Sequence, residues 1–353
     1  MENYYNFQSH AVSLLDWYDC NARKLPWRAQ PHSVISGEIP DPYHVWLSEI
    51  MLQQTTVKSV IPYFLKFISK WSNIFSLAEA KDEEIMEAWA GLGYYRRARN
   101  LIKCARFLVN NYNGIIPKTE KELLSLPGVG AYTCSAILSI AFNKKATVVD
   151  GNIERVISRL FVIREPLKAS KKKIKSYAEE LTPNDRFGDY CQAMMDLGAT
   201  ICTPKKPKCS SCPLKNNCMG YKKGIAELLP TTLRPSEKRR RYGFAFLAIT
   251  RDNDFLTIRR PNEGLLGGMI CFPCSEWLET KAEEFYPPFS ADWIITGALV
   301  THTFTHFKLN LRVVKAYIEN APEGYQKNSL ETFDTSSLPA LMKKVLIRGI
   351  SVA

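Results

Sequence analysis

No stretch of this chain holds the about 18 consecutive apolar residues that a membrane-spanning helix needs, so an integral membrane protein is not expected. The first residues, Met1–Asp16, carry a short apolar patch without a cationic start, which argues against a secretory signal. There is no internal repeat, so a solenoid is not expected either. Negative charge is also scarce: 35 Asp and Glu stand against 47 Lys and Arg in 353 residues, a net charge of +12. Such a surface suits a polyanion, either nucleic acid or an acidic membrane. With export unsupported, a soluble intracellular protein is expected, cytoplasmic if the source is bacterial. Its ten cysteines then read as ligands or buried thiols, not as a disulfide framework.

What is present suggests about two domains. From Met1 to about Tyr221 the chain reads as helical. Val45–Trp71, Glu83–Asn111 and Glu120–Phe142 repeat apolar residues at helix spacing, with short punctuation at Leu92-Gly93, Asn113-Gly114 and Pro127-Gly128. Lys205–Arg241 differs. Its eleven basic residues against Glu227 and Glu237 leave +9 of the total +12, and its second half, Pro230–Arg241, reads as a linker. From Tyr242 the periodicity changes: Phe244–Thr250, Phe255–Arg259, Asp292–Leu299 and Leu309–Ile318 predict strands, and Trp277–Phe285 a helix. The expected order is a helical domain over 1–221, a basic linker over 222–241 and an α+β domain over 242–353.

Four motifs carry chemistry. Cys202, Cys209, Cys212 and Cys218 give the spacing C-x6-C-x2-C-x5-C. Four thiolates in one short loop can close around a single centre, and sulfur ligation suits zinc or an iron–sulfur cluster. Zinc modules usually pair two CxxC knuckles and only one occurs here, yet chemistry alone leaves both open. The other six cysteines, Cys20, Cys104, Cys134, Cys191, Cys271 and Cys274, are expected to be buried thiols. Leu126-Pro-Gly-Val-Gly130 joins two helical stretches. Gly128 and Gly130 permit tight turning and close approach of a ligand, and the free N–H groups opening the second helix face an anion. Asp150 precedes the helical Ile153–Phe161 and is of the residue type that caps helix N-termini, where the helix dipole favours negative charge. Glu49 shares its helix with Val45, Trp46 and Leu52, and a carboxyl beside such groups should have a raised pKa. Read alone, an ordinary turn, a capping Asp and a surface Glu remain open for these three.

Taken together, these segments resemble the MutY family of adenine DNA glycosylases, within the helix-hairpin-helix or endonuclease III superfamily. The resemblance runs from Leu25-Pro-Trp-Arg28 to about Leu311. The cysteine spacing resembles the superfamily's 4Fe–4S loop, and Leu126–Thr133 with Val148–Val156 resembles its helix-hairpin-helix motif. The implied fold is mainly α: a helix-hairpin-helix glycosylase domain with an iron–sulfur loop, plus a C-terminal α+β Nudix-like domain. Val45–Thr55 matches the catalytic-Glu helix, making Glu49 the general acid that protonates adenine at N7. Asp150-Gly-Asn152 matches the segment whose Asp stabilises the oxocarbenium-like sugar. Gly91-Leu-Gly-Tyr-Tyr-Arg96 matches the DNA-probing loop. Gln54 and Tyr94 fall at positions that wedge into the base stack, while Trp27, Arg28 and Gln192 match the adenine pocket.

One position separates two activities. Lyases of the superfamily carry a nucleophilic Lys two residues after the second hairpin Gly. Here that residue is Tyr132, whose phenol cannot form a Schiff base, so a monofunctional glycosylase is implied. Gly264–Pro273 resembles the Nudix-like domain, but Trp277–Phe285 lacks the Arg-Glu-x-x-Glu-Glu pattern, so pyrophosphate hydrolysis is not expected. His302-Thr-Phe-Thr-His306 matches the loop that inspects 8-oxoguanine, with Phe304, Thr305 and His306 in the reading positions and Thr replacing Ser. The implied partner is double-stranded DNA carrying A·8-oxoguanine or A·G mispairs, bound by a monomer with a 4Fe–4S cluster. A catalytically silent DNA-binding iron–sulfur protein is the alternative, and the presence of both Glu49 and Asp150 argues against it. The segment Ala29–Asp41 is longer than the family pattern and reads as a surface loop.

Overall fold

The computed structural model describes residues 7–31, 35–231, 237–261, 264–281 and 284–351. Two compact units emerge. One comprises Met1–Ile85 and Arg96–Arg234, the other Met86–Tyr95 and Pro235–Ala353.

The first unit is helical. Helices α1 (Phe7–Asn21), α2 (Pro42–Leu52), α3 (Val57–Lys70) and α4 (Ile74–Glu79) precede α5 (Asp82–Ala88), which runs into the segment grouped with the other unit. There follow α6 (Arg96–Tyr112), α7 (Glu120–Ser125), α8 (Ala131–Phe142), α9 (Gly151–Leu160), α10 (Leu167–Leu181), α11 (Phe187–Thr200) and the short α12 (Met219–Lys222). Local chemistry sets the ends. Asp41 caps α2 by accepting the Tyr43 N–H at 2.8 Å, with Pro42 in the first turn. Thr56 caps α3 by accepting the Ser59 N–H at 3.3 Å. This cap splits the stretch Val45–Trp71, in which no break was expected, because the chain turns through Gln53–Thr55 before α3 begins. Helix α8 is apolar almost all round, with Thr133, Cys134 and Ala136–Ala141 buried, as suits a central helix. It packs against α2 and α11, and α11 packs in turn against α9. Three helices that carry sequence-predicted site residues therefore surround α8 or its neighbour.

The second unit is built on a six-stranded mixed sheet of order β3-β2-β1-β5-β4, with β6 pairing β2. Its strands are β1 (Arg239–Thr250), β2 (Asp254–Arg259), β3 (Ile270–Cys271), β4 (Ile294–Thr303), β5 (Phe307–Ile318) and β6 (Gln326–Ser329). The central strand β1 runs parallel to β5 over its whole length. Ala245, Leu247 and Ile249 on one face join a core with α13 (Ala340–Ser351), which contributes Leu341, Met342, Val345 and Leu346. Phe244 and Phe246 point the other way, against Phe285 and Trp293. The alternation is the two-residue period of a strand covered on both sides.

Three expectations need correcting. Arg239–Arg241 form the start of β1 rather than the end of a linker; residues 232–236 of that stretch lie outside the described residues. The described part of Trp277–Phe285 is not helical. Leu278 instead bridges Tyr242, because its backbone pairs beside the first half of β1; residues 282–283 lie outside the description. Of the six cysteines expected to be buried, Cys20 is exposed and Cys274 half-buried. In Ala29–Asp41, residues 32–34 are outside the described set, while Ile35 and Ile39 are exposed. Among the described residues no helix is long and apolar enough to cross a membrane.

Candidate active site and iron–sulfur loop

Glu49 lies in the middle of α2, where every residue from Val45 to Met51 is buried, and is itself only 5% exposed. Its Oε2 has no hydrogen-bond partner. Burial pushes the carboxyl up to about 7. A hydrogen bond with Tyr132 and the charge of Arg28 pull the other way, and the negative Asp150 adds to the rise. Tyr132 is the second residue of α8, brought here by the packing of α8 on α2. Its hydroxyl is held well above the usual tyrosine range by burial and then by the Glu49 charge.

Asp150 is the N-cap of α9. Its Oδ1 accepts the Ile153 N–H at 2.7 Å and its Oδ2 accepts from Asn152 Nδ2 at 2.8 Å. Both oxygens are thus engaged at the positive end of a helix dipole. Asn152 is fixed in turn by Arg155 Nη2, 2.9 Å from its Oδ1, and Arg155 also reaches the carbonyls of Gly198 at 2.6 Å and Cys202 at 2.7 Å. The close approach of α11 depends on Gly198, where a Cβ would stand 2.6 Å from that of Asn152.

The other pocket positions fall in the same unit. Trp27 is buried, edge-on to Phe64 at 5.2 Å. Arg28 is half-buried with its side chain only 6% exposed, and it donates through Nη1 to both oxygens of Asp196, at 3.0 and 2.9 Å. Gln192 is buried on α11, with its Nε2 bonded back to the Gly188 carbonyl at 3.3 Å. Gln54 is exposed with φ +58°. Tyr94 belongs to the other unit, is 49% exposed and has φ +49°. A left-handed backbone at a residue other than Gly costs about 1–3 kcal/mol and clusters at ligand clamps and switch regions. Gly128 has φ +82°, and a Cβ there would lie 2.8 Å from that of Asn100. Gly130 differs from expectation: its φ of −96° is open to any residue, so the turn does not require it. It caps α8 with no side-chain bond, and nothing lies within 4 Å of where its Cβ would be.

Sequence reasoning missed three side chains that hold this site. Asp196 is fully buried and also accepts from Arg23, at 2.6 Å from Nε and 2.9 Å from the backbone N–H. Arg97 donates to the carbonyls of Ile50 and Met51 and to Thr55 Oγ1, fastening the last turn of α2. Arg155 is the third. The available signal was a charged residue at a core-facing helix position, which is rare unless paired.

The loop after α11 carries the four cysteines, all half-buried. Each of Cys209, Cys212 and Cys218 feels the charge of Cys202, so the four thiols are neighbours, although among the described residues no His, Cys, Asp or Glu side chains already stand grouped as a metal site. Burial pushes Cys212 up to about 12, opposed by the Leu214 N–H directed at its sulfur; the N–H groups of Tyr221 and Gly220 act likewise on Cys218. Arg159, 1% exposed, donates to Cys202 Sγ at 3.3 Å and to the Thr203 carbonyl at 2.7 Å. Neighbouring thiols, amides aimed at sulfur and a buried cation fit the chemistry of a thiolate-ligated anionic cluster.

In the second unit, β4 and β5 form a hairpin whose tip is Phe304-Thr305-His306. The Phe304 N–H donates to the Phe307 carbonyl at 2.8 Å, and Lys238 Nζ donates to the Phe304 carbonyl at 2.8 Å. Phe304 stacks on Trp277 with ring centres 5.8 Å apart and meets His302 edge-on at 4.7 Å. Thr305 and His306 are exposed on this braced tip.

Residues 47–184 match the HhH-GPD superfamily of base excision DNA repair proteins, 202–218 the iron–sulfur binding domain of endonuclease III, and 244–348 the NUDIX domain. The adenine DNA glycosylase of Homo sapiens is 34% identical over 396 aligned positions, covering 94% of this chain and 72% of that protein. That of Buchnera aphidicola from Acyrthosiphon pisum is 34% identical, covering 94% of this chain and 95% of its own. A solved thermostable thymine-DNA glycosylase is 33% identical with a TM-score of 0.54, covering 62% of this chain and 97% of its own.

Proposed function

This chain belongs to the adenine DNA glycosylases of base excision repair, which use a helix-hairpin-helix fold and a 4Fe–4S cluster, and on that premise we propose that it hydrolyses the N-glycosidic bond of adenine mispaired with 8-oxoguanine or guanine, acting as a monomer. The observation that carries this reading is a buried, incompletely bonded Glu49 carboxyl within electrostatic reach of Asp150, whose two oxygens are both engaged at a helix N-terminus.

Protonation is what makes adenine a leaving group. Near neutral pH a fraction of Glu49 keeps its proton and gives it to N7 of the extruded base as the glycosidic bond lengthens. Positive charge then grows on the sugar, and the fixed carboxylate of Asp150 stabilises it without having to reorient. Trp27, Arg28 and Gln192 line the base pocket. Gln54 and Tyr94, exposed on strained backbone, fill the space left in the stack. Tyr132 bonds Glu49 and stands where a lyase would carry its amine, so excision leaves the strand intact. Cys202, Cys209, Cys212 and Cys218 would hold the 4Fe–4S cluster, which when bound would cross-link a loop whose Lys205, Lys206 and Lys208 approach phosphate. Thr305 and His306 read the opposing 8-oxoguanine.

A single-turnover assay on an A·8-oxoguanine duplex tests this. Free adenine should appear with the backbone uncut, and a borohydride-trapped covalent adduct should be absent. Binding without base release would favour the silent DNA-binding reading, and strand cleavage with an adduct would contradict the role given to Tyr132.

A further inference from the structure

Resting on the assignment of Glu49 as the acid, we infer that Asp196 is a positioning residue that engages Arg28 away from Glu49 and so keeps the acid neutral. Four groups face Glu49 from the elements around it: Tyr132 from α8, Arg28 from the segment after α1, Asp150 from the cap of α9 and Cys191 from α11. Of these only Arg28 is a cation. A guanidinium able to pair with Glu49 would turn a proton donor into a spent carboxylate.

Asp196 intercepts it. One Arg28 nitrogen is shared between both Asp196 oxygens, with the two side chains 6% and 0% exposed. Arg23 binds the same carboxylate from the other side. Tyr18, fully buried, completes the group around Arg28 and Asp196. Two guanidiniums therefore share one carboxylate, and the local balance is +1 before Glu49 is counted. Removing the Asp196 charge would leave the buried Arg28 guanidinium uncompensated beside the acid. An opposite charge within a few ångströms stabilises an ionised carboxylate strongly, so Glu49 would give up its proton to solvent before substrate arrives.

The test is the pH profile of single-turnover adenine release by the full chain on an A·8-oxoguanine duplex. Because Glu49 acts when protonated, wild-type activity should fall as pH rises through its midpoint. In Asp196→Asn that fall should move down by about one pH unit or more, a loss of about tenfold or more above the wild-type midpoint, with the acidic plateau largely kept. Asp196→Glu should restore the wild-type midpoint. Asp196→Asn combined with Arg28→Gln should bring the midpoint back up even if the plateau drops, because the offending cation is gone. An Asp196→Asn enzyme slowed equally at every pH, with its midpoint unchanged, would overturn the proposal in favour of a packing role. If that variant does not fold, Arg23→Met supplies the opposite sign: Asp196 is left wholly to Arg28, and the midpoint should hold or rise, whereas a fall would overturn the proposal. Failure of the underlying assignment looks different. A wild-type profile without such a fall, or a Glu49→Gln enzyme of undiminished rate, would remove Glu49 as the acid whatever the Asp196 variants do.

Discussion

Two helices of the candidate site carry the same functional group and treat it in opposite ways. Glu49 sits mid-helix, where α2 is buried on all sides, with one oxygen unbonded and its carboxyl pushed up to about 7. Asp150 sits one residue ahead of α9, where the first turn offers an N–H and the dipole favours negative charge. Neither side chain is chemically special. What differs is whether the helix surrounds the group with hydrocarbon or presents it with donors, and on the proposed mechanism that difference makes an acid of one and an electrostatic anchor of the other.

The contrast can be broken most severely at Glu49. Glu49→Gln keeps the shape and removes the transferable proton, and adenine release should fall by at least about a hundredfold while duplex binding persists; single-turnover kinetics with a parallel binding titration checks both. Asp150→Asn removes the fixed charge, and a loss of about 10²–10³ is expected. What sharpens the comparison is that this variant should keep a fall of rate with rising pH, moved somewhat below the wild-type one, because the Asp150 charge that helps to raise Glu49 is gone. Tyr132→Phe should change the rate only severalfold and move that fall to higher pH, because the hydrogen bond it removes acts to lower Glu49; an unshifted profile would mean the bond does not tune the acid.

Stability should divide the two residues again. Asp150→Ala loses a helix cap and should cost about 1 kcal/mol in a denaturant titration. Glu49→Gln should instead change how stability depends on pH. A carboxyl raised from 4.5 to about 7 on folding binds more protons in the folded chain than in the unfolded one over that interval. Stability contributed by this group is therefore greatest below pH of about 4.5 and declines as pH rises to about 7. Wild type should show this decline and Glu49→Gln should lack it.

How much of this was legible in the sequence depended on the kind of interaction. Helix periodicity and caps are local, so the helical half, the hairpin at Gly128, the cap at Asp150 and four of the strands could be read from neighbours in the chain. The raised carboxyl of Glu49 was legible for the same reason, since its burial follows from Val45, Trp46 and their turn of helix. Pairings across distance were not. Arg28 with Asp196 spans 168 residues and Arg155 with Cys202 spans 47, and nothing in either local pattern announces the partner. Trp277 failed differently. Its stretch has helix-like composition, but pairing of Leu278 with Tyr242 draws it out beside β1, a tertiary demand that overrides local propensity.

Infrared difference spectroscopy of the protonated carboxyl stretch, titrated in wild type and in Glu49→Gln, would watch the acid itself. A band present in wild type, missing from the variant and bleaching as pH passes about 7 is the expected result. A Glu49 already ionised well below that point, in the ordinary carboxylate range near about 4.3, would mean that the buried helix does not hold the proton that the proposed reaction requires.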